Sequence, residues 1–218
     1  MFELPLFPLN TVLFPGTPIQ LHIFEPRYKL MIEQCIQTDQ PFGVVLIHKG
    51  VEAGGPLAEP HPIGCTAQIT QVERLDDGRM NILAVGLERF QIVALNRTEP
   101  YLTGTVELIP LDEDDEPIIE QAGRRLRPWV ERYLAVLSQV AEDAHFDLDR
   151  LPDDPLALAY LAAALLQVPS EQKQTLLAAD QAVDFLTAIR AMYRREVALL
   201  SAIVARDTID TQGLFSLN

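Results

Sequence analysis

The sequence predicts an α+β chain: a mostly β amino-terminal domain over residues 1–110, an acidic joint at 111–117 and an α-helical bundle over 118–218. Three observations predict it. Up to residue 110 the apolar residues fall in short blocks separated by turn-forming residues, the pattern of strands. The run Leu111-Asp112-Glu113-Asp114-Asp115-Glu116-Pro117 is almost wholly charged and reads as a solvated connector. Beyond it, Ala182, Leu186, Ile189, Tyr193, Val197, Leu200 and Val204 recur at steps of three and four, the buried stripe of a long amphipathic helix.

The elements follow in order. Pro5, Pro8 and Pro15 fix φ and remove ladder donors, so the opening predicts short extended pieces broken by fixed corners, with aromatics between them. A helix from about Arg27 through Cys35 interrupts the sheet. Strands are expected at Phe42–Ile47, Ile63–Val72, Met80–Leu87, Phe90–Leu95 and Tyr101–Ile109. Alternation is clearest in the last, where Leu102, Val106 and Leu108 share one face and Thr103, Thr105 and Glu107 the other. Asp76-Asp77-Gly78-Arg79 reads as a hairpin turn, because Asp-Gly supplies the positive φ such turns need. Such a domain suits a distorted barrel with few free edges. In the second half, acidic residues favour the start of a helix from Ile118 to Ala141, and Pro128 within it predicts a kink or break. Asp153-Asp154-Pro155 opens a helix to Leu166, Pro169-Ser170-Glu171 a short one, and Asp180 the last.

Composition narrows the function. The formal net charge is −14 and both halves are acidic, which opposes the Lys and Arg neutralisation of phosphates on which nucleic-acid binding depends. Cys35 and Cys65 stand alone, so no zinc ribbon and no redox Cys-x-x-Cys is available, and both read as small buried hydrophobes in a reducing cytoplasm. The start Met1-Phe2-Glu3 lacks a secretory pattern, and Leu156–Leu166 is too short to span a bilayer, so no membrane role is expected. His22, His48, His61 and His145 show no ligand-pair spacing, hence no metal is expected. Ser138, Ser170, Ser201 and Ser216 lie outside any G-x-S-x-G elbow. Gly54-Gly55 is followed by Pro56-Leu57 rather than Lys and Ser, so no phosphate loop exists, and no cofactor is expected.

The strings Leu4-Pro5-Leu6-Phe7-Pro8-Leu9, Leu13-Phe14-Pro15-Gly16 and Ile23-Phe24-Glu25-Pro26-Arg27-Tyr28 stand in order within the opening segment. Together they resemble the N-terminal, substrate-binding domain of the Lon ATP-dependent proteases. Ile63-Gly64-Cys65-Thr66-Ala67, Asp77-Gly78-Arg79, Gly86-Leu87-Glu88-Arg89-Phe90 and Pro100-Tyr101 are similar to later motifs of that family, with Cys65 an extra residue before the threonine. Asp154-Pro155, Lys173-Gln174 and Leu176-Leu177 match its helical half. The resemblance implies a PUA-like distorted β-barrel followed by the helical bundle. It also implies non-catalytic recognition of polypeptides, unfolded or damaged ones among them, in a proteostasis role, since ATPase and peptidase modules cannot be fitted into this length. The implied partners are polypeptide substrates or a partner protein; a homodimer is compatible with this. Two alternatives stay open: a sensor using a pocket of the PUA-like domain for a small molecule or peptide, and an enzyme of unrecognised type.

Glu25, Arg27 and Arg89 could suggest catalysis, but a carboxylate beside a permanently charged guanidinium is more often a structural ion pair. Glu25 with one of these arginines is expected to tie the Pro26 corner to the β core. Cys65 with His61 lacks a third orienting group and an oxyanion hole, so an inert Cys65 is expected. Phe14, Pro15, Tyr28 and Pro56 are the peptide-binding candidates: Phe14 sits in a turn that can leave an aromatic at the surface, and the loop Lys49–Pro62 is long and rich in Gly and Pro. The recognition surface is expected between the Phe14 turn and that loop, with Phe24 assigned to the core.

Overall fold

The computed structural model describes residues 1–112, 115–140 and 147–213. Glu113 and Asp114 of the joint, the expected helix end at Ala141, His145, and residues 214–218 with Ser216 lie outside the described residues. Six strands form: β1 (Phe2–Leu9), β2 (Pro18–Ile23), β3 (Phe42–Lys49), β4 (Glu59–Arg74), β5 (Met80–Asn96) and β6 (Leu102–Leu108). The helices are α1 (Pro26–Thr38), α2 (Glu116–Val140), α3 (Pro155–Leu165), α4 (Ser170–Leu177) and α5 (Ala182–Gly213), with a 3-10 turn at Leu148–Arg150. The chain divides into two compact units, the first comprising Met1–Leu111 and Ala163–Ala179, the second Asp112–Ala162 and the chain from Asp180 onward.

The first unit is one mixed sheet in the order β2-β5-β4-β3-β1-β6, and a further β5–β6 pairing closes it on itself. Only β1 and β3 run parallel, Leu6 opposite Gly43. Closure depends on the length of β5. Its first part, from Met80 to Val85, lies between β2 and β4, and its last part, Phe90 to Asn96, pairs with β6. The two strands expected at 80–87 and 90–95 are therefore one, with an extra residue absorbed opposite Cys65 and Ala67. The Asp-Gly turn forms as expected between β4 and β5, with Gly78 at φ 76°.

β1 corrects a second expectation. Pro5 and Pro8 lie inside an unbroken strand rather than at corners. Pro5 faces Thr103 of β6 and Pro8 faces Val45 of β3, and of the residues in these ladders only Leu6 has partners on both sides. A proline is tolerated where the strand has a neighbour on one side only, because its missing donor then breaks no ladder. Alternation along β1 feeds two cores: Leu4 and Leu6 pack with Val45, Phe90, Leu102 and Val106, while Phe7 and Leu9 enter the larger cluster beneath α1. Helix α1 begins with Pro26 in its first turn and buries Tyr28, Met31, Ile32 and Cys35, the i, i+3, i+4, i+7 set of one face. It ends where Asp39 adopts the left-handed conformation, φ 51°.

Residues 163–179, placed with the helices by the sequence boundary at 118, are grouped with the sheet instead. Gln174 Nε2 donates to Ile63 O (3.0 Å) and Ser170 Oγ to Asn10 O (2.8 Å). In the second unit α2 and α5 pack together, and the expected α5 stripe is buried from Ala182 through Val197. Tyr193 on that stripe meets the Tyr133 ring edge-on at 5.0 Å and donates its hydroxyl proton to Ala162 O. Helix α2 is not interrupted at Pro128: the proline is exposed, while Leu126, Val130, Tyr133 and Leu134 bury the opposite side.

Candidate functional site

The strand β2 ends at Ile23, whose side chain is buried, and period two turns the next residue outward: Phe24 is 50% exposed. Glu25 is extended (φ −72°, ψ 136°), and its carbonyl accepts the Lys29 amide to start α1. The Glu25 carboxylate lies 3.0 Å from Arg27 Nε, both side chains mostly shielded from water. The same guanidinium donates from Nη1 to Gly55 O (3.3 Å) and lies 4.7 Å from the centroid of the Tyr28 ring. Tyr28 in turn stacks on Phe7 with centroids 4.1 Å apart. A chain of contacts thus runs from the loop at Gly55 through Arg27 and Tyr28 to β1.

Beside it opens a cleft of about 290 Å³. Phe7, Ile23 and Tyr28 supply its apolar wall, Phe24 its rim, and Glu52 and Ala53 of the 50–58 loop the facing side. Burial raises the Tyr28 phenol above its usual range, and the Glu25 and Glu52 charges push the same way against Arg27. The tyrosine is a neutral stacking platform here. Across β2 lies a shallower hollow of about 560 Å³, polar along one edge, where His22 Nδ1 and Asn81 Oδ1 are 2.7 Å apart and Asn81 Nδ2 donates to Glu73. The His22 ring also stacks against Phe24, 6.0 Å between centroids.

The expected binding residues separate. Tyr28 lines the cleft; Phe14, Pro15 and Pro56 do not. Phe14 is fully buried, which corrects its expected exposure. Its turn is fastened to β5: Gly16 N donates to Gly86 O (2.8 Å), Gly86 N to Thr17 O (3.0 Å), and Thr17 Oγ1 to Phe14 O (2.7 Å). A Cβ on Gly86 would stand 2.3 Å from Phe14 O, so only glycine admits this approach. Pro15 is half-buried on that turn and Pro56 is exposed on the loop. Phe24, expected in the core, is the aromatic left outside. The signal that could have found it is the parity step after Ile23.

Of the two arginines weighed as partners of Glu25, Arg27 is the one that pairs with it. Arg89, 4% exposed, donates to four main-chain oxygens: Leu177 (2.7 Å), Ala179 (2.5 Å), Ile109 (2.9 Å) and Pro110 (3.4 Å). It is a clamp on backbone. Cys65 is buried and its thiol is pushed up to about 12 by desolvation; His61 instead lies 3.3 Å from Glu171. Among the described residues no group of three or more His, Cys, Asp or Glu could hold a metal ion, and no helix is long and apolar enough to cross a membrane.

Comparison with known proteins agrees with this architecture. The family model described as the ATP-dependent protease La (LON) substrate-binding domain matches residues 3–192. Lon protease 1 of Hydrogenovibrio crunogenus is 26% identical over 217 residues, 96% of this chain and 26% of its own length. Lon protease 2 of Myxococcus xanthus is 28% identical over 176 residues, 80% of this chain and 21% of its own. The chain thus spans about a quarter of the length of the curated relatives it matches. The crystal structure of a Lon N-terminal domain protein from Xanthomonas campestris aligns with TM-score 0.63 at 29% identity, covering 88% of this chain and 98% of that one. The N-terminal domain of the Mycobacterium avium complex Lon protease shares the fold, TM-score 0.63 at 19% identity, with the same coverage.

Proposed function

Since the chain belongs to the Lon substrate-binding domain family, we propose that it binds polypeptides at the Phe24 cleft and performs no chemistry of its own. The observation that carries this reading is a half-exposed phenylalanine at the rim of an apolar cleft walled by Phe7, Ile23 and Tyr28. An aromatic anchor beside a recess is what a segment with an exposed apolar side chain needs. Such segments belong to unfolded or damaged proteins, and the role is one of proteostasis: capture, then delivery to or protection from a separate machine. The first unit is read as PUA-like, adapted here to polypeptide rather than nucleic acid, in keeping with the charge of −14. Free, buried Cys35 and Cys65 suit a reducing cytoplasm.

The test is fluorescence anisotropy of a labelled, reduced and carboxymethylated protein titrated with this chain, beside the same protein folded. Saturable binding to the unfolded form alone, lost in Phe24→Ser, is the expected result. Equal binding by Phe24→Ser and the unsubstituted chain would remove the cleft from the reading.

A further inference from the structure

β2 sits at the end of the strand order and pairs with β5 alone. Along an antiparallel strand every second residue directs its N–H and C=O to one side, so the side of β2 away from β5 presents main-chain groups. Among the described residues none of those groups has a hydrogen-bond partner. Edges of this kind are ordinarily blunted with charged side chains. Pro18-Ile19-Gln20-Leu21-His22-Ile23 contains no Asp, Glu, Lys or Arg, and its proline is at the first position. The cleft lies along this edge. It is lined by six consecutive residues, Gln20 to Glu25, and by no residue of β5.

The charges around the cleft are equally one-sided. Glu25 and Glu52 line it, and no Lys or Arg does. Arg27 offsets Glu25, whereas Glu52 accepts a hydrogen bond from a main-chain amide, that of Asn10 at 2.9 Å.

Resting on the polypeptide-binding reading above, we infer that the bound segment enters as an added strand along the free edge of β2, and that it alternates apolar residues with lysine or arginine. The backbone ladder supplies affinity without regard to sequence. Apolar side chains on one parity enter the recess beside Phe24 and Tyr28, and the intervening cations answer Glu52. This is a surface for emerging or unfolded chain, which alone is extended with its amides free.

The experiment uses the full chain and a fluorescein-labelled heptapeptide, Lys-Val-Lys-Phe-Lys-Val-Lys, with a set of versions N-methylated at one residue each. In an added strand only every second amide faces the edge. Methylation should therefore weaken binding about 3- to 10-fold at positions of one parity, the worth of one hydrogen bond, and leave the other parity unchanged. Glutamate in place of lysine should abolish binding, and Glu52→Gln should reduce the preference for lysine. Binding that is indifferent to methylation at every position overturns strand addition while leaving polypeptide recognition intact. Failure of both the peptide and the carboxymethylated protein to bind overturns the two together.

Discussion

Arg89 Nη1 donates to the carbonyl oxygen of Leu177 at 2.7 Å, joining β5 to the end of α4. With Ala179, Ile109 and Pro110 accepting from the same guanidinium, a buried cation is solvated by main chain. Arg89→Ala leaves those carbonyls dry and unpaired, each costing about 1–3 kcal/mol. A melting temperature lower by well over 5 °C is expected, at roughly 2–4 °C per kcal/mol for a chain of this size. Arg89→Lys, with its charge kept but its planar fork lost, should fall between. Thermal unfolding followed by circular dichroism decides, and an unchanged midpoint for Arg89→Ala would remove the clamp.

Glu25→Ala deprives Arg27 of its carboxylate in a largely shielded setting. A loss of roughly 1–2 kcal/mol is expected, seen as a melting temperature lowered by about 2–8 °C. An unchanged melting curve would refute the structural ion pair.

Phe14 and Phe24 should respond in opposite ways. Phe14→Ser opens a cavity and buries a hydroxyl, so it should cost about 3–5 kcal/mol and abolish peptide binding through the fold. Phe24→Ser, on the surface, should leave the melting temperature within about 2 °C, since exposed substitutions change stability by around 0.5 kcal/mol. It should nonetheless lose the binding. Gly86→Ala drives a methyl against Phe14 O and should reproduce the Phe14→Ser phenotype.

Buried thiols give a pH signature. Cys35 is pushed up to about 11 and Cys65 to about 12, against 9.0 when unfolded, desolvation being the main cause for both. Between the unfolded and folded values the native state holds protons that the unfolded state has released, so unfolding becomes easier as pH rises. Stability from this source is complete below pH 9 and is lost progressively toward pH 12. Cys65→Ala should flatten that alkaline loss. In native protein at pH 7.5, iodoacetamide should leave both cysteines unmodified, and rapid labelling of Cys65 would contradict its burial.

Much of the fold was legible locally. Short apolar blocks marked the sheet, Asp77-Gly78 its longest hairpin, and the spacing from Tyr28 to Cys35 the buried face of α1. What was hidden depends on distant backbone. Gly86-Leu87-Glu88 reads as a break between strands, yet β4 on one side keeps β5 continuous across it. Proline lies shortly after both Phe14 and Phe24; the parity step after Ile23 turns Phe24 outward, but for Phe14 the bonds between its turn and the distant Gly86 decide the matter. Two of the four partners of Arg89 lie eighty-eight and ninety positions away, at the end of a helix and just beyond it, and the periodicity of that helix says nothing of the sheet it joins.

That separation sets an order of events during translation. Among the described residues all six strands end by Leu108, so the nascent chain can assemble its sheet while α2 and α3 are still to be made. Arg89 is synthesised before two of its four acceptors, Leu177 and Ala179. The first unit thus reaches its final stability only after the whole stretch from Asp112 to Ala162 has been synthesised.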